Sequence, residues 1–325
     1  MDKIVDHIPV LLEEIVDNLK NLKIKNGIII DATFGLGSYS NAILENTNCK
    51  VYGFDRDPEV MKYASKLKEK YKNRFKFFQK KFSEIEHTIF TEIECKNNIK
   101  GIIFDLGVSN LQLKKNKRGF SFKHDGPLDM RMSKEGLKAF DVINNFSEEN
   151  LSNIFYTLGD EVYSRKIAKN IVKFRQNRSI NTTIELADII RKTVPGRPKK
   201  IDKATKTFQA IRMLVNDELN ELKKGLVTSE NILARGGTLC VVSFHSKEDK
   251  LVKNFLNICQ GKTKTFISKF LPPEPNIKNS FEIITKKPIT PSIREIKINP
   301  KSRSAKLRIA KRTKFCPIYN REIAA

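Results

Sequence analysis

The chain has 325 residues, of which 39% are hydrophobic and 30% are charged. This balance is typical of a globular protein with one large domain or two ordinary ones. No apolar run approaches the roughly 18 residues needed to cross a bilayer, which excludes a membrane-spanning class. The five cysteines are scattered without a CxxC pair, which argues against a metal site or a disulfide framework and favours a reducing, cytoplasmic location.

Net charge is the strongest compositional signal. The 61 lysines and arginines face only 37 acidic residues, which leaves a formal charge of +24. An excess of this size attracts polyanions, so we expect a nucleic acid as the main partner. The alternative is a lysine-rich surface that only keeps the protein solvated.

The first predicted strand is Ile28–Asp31, an apolar run that ends in an acid. Gly35 and Gly37 follow it, and Ser38 or Ser40 is expected to cap the next helix. Strand, glycine turn and helix in this order place a ligand at the carboxyl end of the first strand in many α/β proteins. An ordinary turn without a ligand remains open at this point.

Asp55 follows the second predicted strand, Val51–Phe54, about 20 residues after the glycines. An acid at this spacing grips the ribose diol of NAD, FAD or S-adenosylmethionine alike. The third glycine of a dinucleotide fingerprint would fall at Ser40, so the pyrophosphate signature is incomplete. S-adenosylmethionine has no phosphates and tolerates that loss.

The following elements alternate as a doubly wound sheet requires. Asp57–Tyr71 predicts a helix whose apolar face includes Met61, and Phe75–Phe78 predicts a third strand. Phe82 comes next at a strand-to-helix corner. There it either faces the same crevice as the glycine turn or packs in the core.

Gly101–Asp105 predicts a fourth strand, whose continuous apolar run is typical of a parallel strand covered on both faces. We expect this strand beside the first, which puts Asp105 in the crevice at the switch point of the sheet. Burying an unpaired carboxylate is costly, so an acid at this position is more often functional than structural.

The pattern changes after the fourth strand. Residues 110–135 have few periodic signals, and the basic residues Lys114, Lys115 and Arg118 are interleaved with Phe120 and Phe122. Such a loop is suited to binding phosphates and stacking on bases. Residues 139 to about 225 carry apolar stripes at helical spacing.

We therefore predict a discontinuous organisation. Residues 1–110 and 215–325 are expected to form an α/β domain, and residues 111–214 a mainly helical subdomain inserted into it. One helix over residues 208–226 is expected to lead back to the sheet.

The sheet resumes with a fifth strand, Thr238–Phe244, which exits into His245. Ser246 is expected to cap the helix that follows. Among the last strands, residues 305–310 alternate in polarity, which predicts that Arg308 faces outward.

Taken together, these residues resemble the bacterial small-subunit (16S) ribosomal RNA cytosine-N4 methyltransferases of the MraW family. The resemblance runs from His7 to about Thr313, nearly the whole chain. It is carried by the motifs His7–Leu12, Asp31–Gly35, Asp55–Pro58, Asp105–Ser109, Arg118–Phe122, Asp125–Met132, Ala204–Arg212 and Ser243–Ser246. The motifs are specific in this order, whereas the glycine turn alone would not be.

The resemblance implies a class I, Rossmann-like methyltransferase sheet with a helical insertion. It implies that the protein uses S-adenosylmethionine to methylate N4 of a cytidine in the decoding region of 16S ribosomal RNA. The expected partner is this RNA within the small ribosomal subunit. No metal is expected. The family's cofactor contacts fall on Gly37, Ser38, Tyr39, Asp55, Phe82, Asp105 and Gln112.

Two departures bear on the site. The family usually has glycine at the position of Ser38, but the backbone N–H survives, so we expect cofactor binding to persist. Many amino-methyltransferases carry Asp or Asn, two prolines and an aromatic residue after the fourth strand, whereas this chain has Asp105–Val108. The motif therefore identifies no acceptor for the N4 proton, and Asp129 and His245 are the candidates.

The remaining parts of the substrate site are expected in the helical subdomain and the basic segments. The loop Asp125–Arg131, Phe122 and His245 are expected to shape the cytosine pocket. The base must be splayed out of its stack to reach this pocket. Lys114, Lys115, Arg118 and the basic residues of 301–314 are expected to hold RNA phosphates. A DNA amino-methyltransferase, a nicotinamide enzyme and a catalytically idle RNA-binding protein remain as alternatives.

Overall fold

The computed structural model describes residues 9–21, 27–93, 98–197, 201–261 and 279–319. The chain forms two compact units, Met1–Gly107 with Leu219–Ala325, and Val108–Glu218. The sequence-based boundaries were 110/111 and 214/215. His7 and Ile8, which begin the first motif, lie outside the described residues.

One mixed sheet organises the first unit. Its strands, within the described residues, are β1 (Ile28–Asp31), β2 (Lys50–Phe54), β3 (Phe75–Phe78), β4 (Ile99–Asp105), β5 (Thr238–Ser243), β6 (Phe281–Ile283) and β7 (Lys306–Arg312). Their order is β3-β2-β1-β4-β5-β7-β6. The first five strands are parallel, and β7 runs antiparallel to both β5 and β6. The predicted neighbourhood of strands one and four is confirmed.

Helices surround the sheet in the first unit and make up most of the second. Within the described residues they are α1 (Leu12–Asn21), α2 (Ser38–Asn46), α3 (Met61–Tyr71), α4 (Ile85–Glu92), α5 (Asn110–Lys114), α6 (Ala139–Asn145), α7 (Glu148–Gly159), α8 (Ser164–Arg175), α9 (Thr183–Thr193), α10 (Thr205–Val215), α11 (Glu218–Ile232), α12 (Ser246–Cys259) and α13 (Ile293–Ile298). Helices α5 to α10 belong to the second unit.

The sheet is covered on both faces, which explains its continuous apolar strands. Ile28 and Ile30 of β1 join one buried cluster, together with Phe104 and Phe255. Ile29, between them, joins the cluster on the other face. Side chains therefore alternate in direction without alternating in polarity.

The second unit has its own core. Phe155, Ile167, Ile190 and Ile211, from four different helices, are fully buried in it. The predicted helical region is thus confirmed. The predicted single helix over residues 208–226 was wrong, because α10 ends at Val215 and α11 begins at Glu218. Asp217, with φ +49°, turns the chain between them.

Two predicted side-chain positions were also wrong. Met61 is 44% exposed, because residues 60 and 64 set the apolar face of this segment and residue 61 lies about 100° from the first and about 60° from the second around the helix. Arg308 is buried, since its Nε donates to Asp249 Oδ1 on α12 at 2.7 Å. The Arg308 side chain therefore forms an ion pair with the helix that covers it, where the sequence pattern predicted contact with solvent.

Candidate active site

The turn after β1 is built by two glycines with different physical tasks. Gly37 has φ +76°, and a Cβ there would lie 2.6 Å from Phe34 Cζ. Gly35 has φ +53°, but a Cβ there would meet nothing closer than the Thr33 carbonyl oxygen, 3.8 Å away. The fold thus needs Gly37, whereas Gly35 keeps an open surface that a ligand can approach.

The helix that follows the turn is not capped as predicted. Gly37 is the N-cap of α2, and no side chain bonds to the helix end. Ser40 lies inside the first turn, and its hydroxyl donates to Asp31 Oδ2 at 2.7 Å. The buried carboxylate on β1 competes for this hydroxyl and takes it away from the backbone.

Asp31 is the residue of this crevice to which the sequence pattern gave no role. It is fully buried at the carboxyl end of β1. Burial raises its pKa to about 6, and the hydrogen bond from Ser40 opposes the rise. The acid that ends the apolar run was a visible signal, but its partner Ser40 lies nine residues later.

Asp55 holds the two backbone segments that frame the crevice. Its Oδ2 accepts from the N–H of Gly35, and its Oδ1 from the N–H of Asp57, both at 2.8 Å. Burial raises the pKa of Asp55 to about 6, against the lowering effect of these two hydrogen bonds. Each oxygen keeps a second lone pair for a ligand hydroxyl.

Asp105, at the end of β4, is the least satisfied acid of the crevice. Its Oδ1 is buried and has no hydrogen-bond partner. Burial raises its pKa to about 8, with further contributions from the charges of Asp31 and Glu248. Its backbone N–H donates to Thr33 Oγ1 at 2.6 Å, which ties β4 to the turn after β1.

The other cofactor residues predicted in the first unit differ in what they can offer. Tyr39 is buried, and its hydroxyl donates to the Val10 carbonyl, so only its backbone is free to face a ligand. Ser38 begins α2 and is partly exposed. Phe82 packs edge-on against Phe104, with ring centroids 5.5 Å apart. This contact agrees with the interpretation of Phe82 as a core residue.

His245 is held by the helix that it caps. Its Nδ1 accepts from the N–H of Glu248 at 3.3 Å, and Glu248 Oε2 accepts from the N–H of Phe244 at 2.8 Å. The imidazole Nε2 lies 3.0 Å from Glu248 Oε1, although it is not aligned for a hydrogen bond. His245, not the predicted Ser246, is the N-cap of α12. A histidine can fill this position because its unprotonated ring nitrogen is an acceptor.

Gln112 and Asp129 belong to the second unit. Gln112 is buried on α5, where its Oε1 accepts from the N–H of Ser109 at 3.0 Å in a capping box. Asp129 makes a bidentate pair with Arg131, with oxygen-to-nitrogen distances of 3.0 and 2.7 Å. Burial acts to raise the pKa of Asp129, but the hydrogen bonds and charge of Arg131 outweigh it and lower the pKa.

The loop around Asp129 borders an open cleft of about 710 Å³ in the second unit. The cleft has polar and charged walls, which include Asp125, Asp129 and Lys138, together with the ring of Phe140. A volume of this size admits a nucleoside-sized ligand.

Two residues predicted to meet RNA are structural instead. Arg118 is buried, and its Nη2 donates to the carbonyls of Arg131 and Met132 at 2.9 Å each. Phe120 is buried in the second core. Lys114 and Lys115 are exposed. The Arg118 guanidinium thus binds backbone carbonyls of a folded loop, and not the RNA phosphates that the sequence pattern predicted.

Acid dominates the crevice of the first unit, and this decides which ligand fits. Asp31 and Asp105 have no ion-pair partner among the described residues, and Asp105 Oδ1 is without any hydrogen bond. A dinucleotide would bring a negatively charged pyrophosphate to these acids, which repel it in their ionised forms. S-adenosylmethionine brings a ribose, an ammonium and a sulfonium, and it fits the open glycine surface, the Asp55 acceptors and the unsatisfied Asp105.

The parallel sheet with its antiparallel seventh strand and the acidic crevice at the carboxyl ends of β1, β2 and β4 define the class: the protein is an S-adenosylmethionine-dependent methyltransferase. Residues 4–313 match the model of the MraW methylase family. The chain belongs to this family.

Relatives of known name cover the chain almost completely. It is 47% identical over 307 residues to "Ribosomal RNA small subunit methyltransferase H" of Rickettsia canadensis (strain McKiel), covering 94% of this chain and 97% of that protein. It is 46% identical over 311 residues to the protein of the same name from Wolbachia sp. subsp. Drosophila simulans (strain wRi), covering 94% and 99%. An rRNA methylase from Streptococcus thermophilus is similar in structure at a TM-score of 0.39 and 11% identity, over 95% of this chain and all of that one.

A membrane span is not found in the part of the chain that the structure describes: none of its helices is both long and apolar enough to cross a bilayer.

Proposed function

We propose that this protein transfers a methyl group from S-adenosylmethionine to N4 of a cytidine in the decoding region of 16S ribosomal RNA, in the cytoplasm. The observation that carries the proposal is the buried acidic crevice around Asp105 in a chain of net charge +24. The family match and relatives named as small-subunit ribosomal RNA methyltransferases support the RNA substrate. The choice of cytidine N4 depends on the resemblance in the motifs.

The cofactor would be held from three sides. The backbone of Gly37, Ser38 and Tyr39 would face its methionine end, and Asp55 would accept hydrogen bonds from its ribose hydroxyls. Asp105 would accept from its ammonium or adenine amine, and Phe82 would complete the site in the first unit. Gln112, which belongs to the second unit, is proposed as a cofactor contact on the resemblance in the motifs alone. Bound there, S-adenosylmethionine supplies an electrophilic methyl group on a positively charged sulfur.

Catalysis then depends on positioning more than on acid–base chemistry. The cytosine amine is a weak nucleophile because its lone pair is delocalised into the ring. The protein must therefore hold N4 in line with the methyl and exclude water. A hydrogen-bond acceptor for the N4–H would localise the lone pair.

Asp129 and His245 remain the candidates for this acceptor. Asp129 is the more suitable by charge, because Arg131 keeps it ionised and fixes its orientation. His245 is held through Nδ1, which accepts from the N–H of Glu248, and this suits shaping the pocket more than moving a proton. The loop Asp125–Arg131 and Phe122 would hold the splayed base.

The proposal is tested by methyl transfer from labelled S-adenosylmethionine to small ribosomal subunits that lack the modification. We expect one methyl group per subunit, mapped by mass spectrometry to N4 of a single cytidine in the decoding region. Protein-free 16S ribosomal RNA and duplex DNA are the comparison substrates, and Asp105→Ala is the control for the active site.

Three results would contradict the proposal. Methylation of duplex DNA in preference to RNA would identify a DNA amino-methyltransferase. A label mapped to another ring atom or to a ribose hydroxyl would reject N4. Tight RNA binding without any transfer by the parent protein would identify an RNA-binding protein without activity.

A further inference from the structure

Helix α8 presents one uniformly basic face to solvent. Its buried residues are Ser164, Ile167, Ala168 and Ile171. The opposite arc of about 140° carries five exposed side chains. They are Arg165, Lys166, Lys169, Asn170 and Lys173.

The four cations of this arc are available to a partner. None of them has an ion pair or a hydrogen bond in the described part of the chain. The helix has no acidic residue. Arg165, Lys169 and Lys173 follow one another at intervals of four residues, or about 6 Å along the axis, so they form a continuous stripe.

Neighbouring residues extend this surface. Asn170 Nδ2 donates to Thr193 Oγ1 at 2.8 Å, which joins the stripe to the end of α9, where Lys192 is exposed. Tyr156, in the last turn of α7, is 63% exposed, and Val162, in the connection to α8, is 74% exposed. Exposed cations on one helix and an exposed aromatic ring on the helix before it suit a strand with phosphates and unpaired bases.

The basic helix α3 lacks this arrangement. On α3, Lys62, Lys66 and Lys68 do not lie on one arc, because residue 68 is on the opposite side from residues 62 and 66. Glu69 interrupts them, and Lys70 is paired with Glu45 at 2.9 Å. The same composition therefore gives a mixed surface on α3 and a single-sign surface on α8.

We infer that the exposed face of α8 is a docking surface for the phosphate backbone of ribosomal RNA outside the methylated nucleotide. This inference rests on the proposed function for the identity of the RNA. Electrostatic contacts of this kind fix the register of the RNA on the protein without reading its sequence. These contacts also give the net positive charge of the chain a function, which the acidic active-site crevice does not.

The test compares two triple variants that remove the same charge from exposed helix positions. One is Lys166→Gln with Lys169→Gln and Lys173→Gln on α8. The control is Lys62→Gln with Lys66→Gln and Lys68→Gln on α3. Binding to protein-free 16S ribosomal RNA and to small subunits is measured from 50 to 200 mM salt, together with S-adenosylmethionine affinity, thermal melting, and KM and kcat for methyl transfer.

We expect the α8 variant to lose at least tenfold in RNA affinity at 50 mM salt. The slope of log affinity against log salt should fall by about 2, because each lost phosphate contact contributes roughly 0.7 in single strands. KM for RNA should rise with kcat preserved. Cofactor affinity and melting temperature should match the parent, and the α3 variant should change RNA affinity by less than threefold.

The inference is overturned if both variants weaken RNA binding equally, which would indicate general charge, or if the α8 variant keeps the parent's salt slope. Loss of binding to small subunits but not to protein-free RNA would identify a protein partner and also overturn it. Failure of the proposed function is a separate result: the parent then methylates no RNA, whatever α8 does to RNA affinity.

Discussion

At the scale of single residues, the two glycines of the turn after β1 separate the demands of folding from those of binding. Phe34, against which a side chain at position 37 would collide, is itself buried and packs on Phe75 and Phe77. Its ring has no free space to move into. At position 35 the same added methyl group would lie in open space.

We therefore predict different effects for Gly37→Ala and Gly35→Ala. The first should destabilise the protein by about 3 kcal/mol, because it combines overpacking with a left-handed backbone. The second should cost about 1 kcal/mol and weaken S-adenosylmethionine binding at least tenfold. Urea unfolding and titration calorimetry measure the two quantities. Equal stability losses with equal loss of binding would contradict this division of tasks.

We predict that the Asp105 carboxylate lowers the stability of the protein and strengthens the binding of S-adenosylmethionine. Its carboxyl has a pKa of about 8 in the fold against about 3.9 in the unfolded chain. Between these values the folded state holds a proton that the unfolded state releases, so this group's contribution to stability falls as pH rises from about 4 to 8. Asp105→Asn should thus raise the melting temperature of the cofactor-free protein at pH 8 by about 3 °C, with little change at pH 4.5.

The same substitution should weaken S-adenosylmethionine binding about tenfold or more, because a charged hydrogen bond is lost. Melting at pH 4.5, 6 and 8 and calorimetry at pH 8 check both effects. Asp129→Asn, in the other unit, is the control for stability, since its folded pKa is lowered and not raised. A destabilised Asp105→Asn variant at pH 8 would show that this carboxylate supports the fold.

At the scale of elements, α7 and α10 approach each other through a residue with no side chain. A Cβ on Gly159 would lie 2.6 Å from the Lys206 carbonyl oxygen and 3.1 Å from Ala210 Cβ. The backbone of α10 occupies the space that a methyl group needs. The packing of the second core therefore depends on a glycine at the end of a helix.

Gly159→Ala should for this reason destabilise the protein by about 1–3 kcal/mol. Helix propensity alone would predict a gain of about 0.5–1 kcal/mol for the same change. Thr157→Ala, at an exposed position of the same helix, is the matched control and should be nearly neutral. Denaturant unfolding decides between these signs, and a stabilised Gly159→Ala variant would mean that α10 moves aside easily.

At the scale of the whole molecule, the charge of +24 and the acidic crevice act on different ligands. RNA binding should depend steeply on salt, because the phosphate contacts release counterions. With six or more contacts, affinity should fall by roughly a thousandfold between 50 and 200 mM salt. S-adenosylmethionine affinity should change little over the same range, because its partners are buried and poorly screened. Filter binding and calorimetry across one salt series test the contrast, and parallel salt dependence of both ligands would refute it.

The strands and the acids at their carboxyl ends were predictable from the sequence. The parallel strands inside the sheet are buried on both faces, so they leave apolar runs, and Asp31, Asp55 and Asp105 mark where three of the runs stop. The helical nature of the second unit was equally visible in apolar residues at helical spacing. These patterns are local, because the spacing of apolar residues within one strand or helix is enough to reveal it.

Only the tertiary structure decided which polar side chains are used up inside the protein. Ser40 turns to Asp31, Arg118 to the carbonyls of Arg131 and Met132, and Arg308 to Asp249. Each partner comes from another element or turn of the chain, so no local pattern announces it. The sequence by itself determined where the acids and cations lie along the chain. The fold decided which of them remain free to bind a ligand, because a buried polar group must find its partner wherever packing places one.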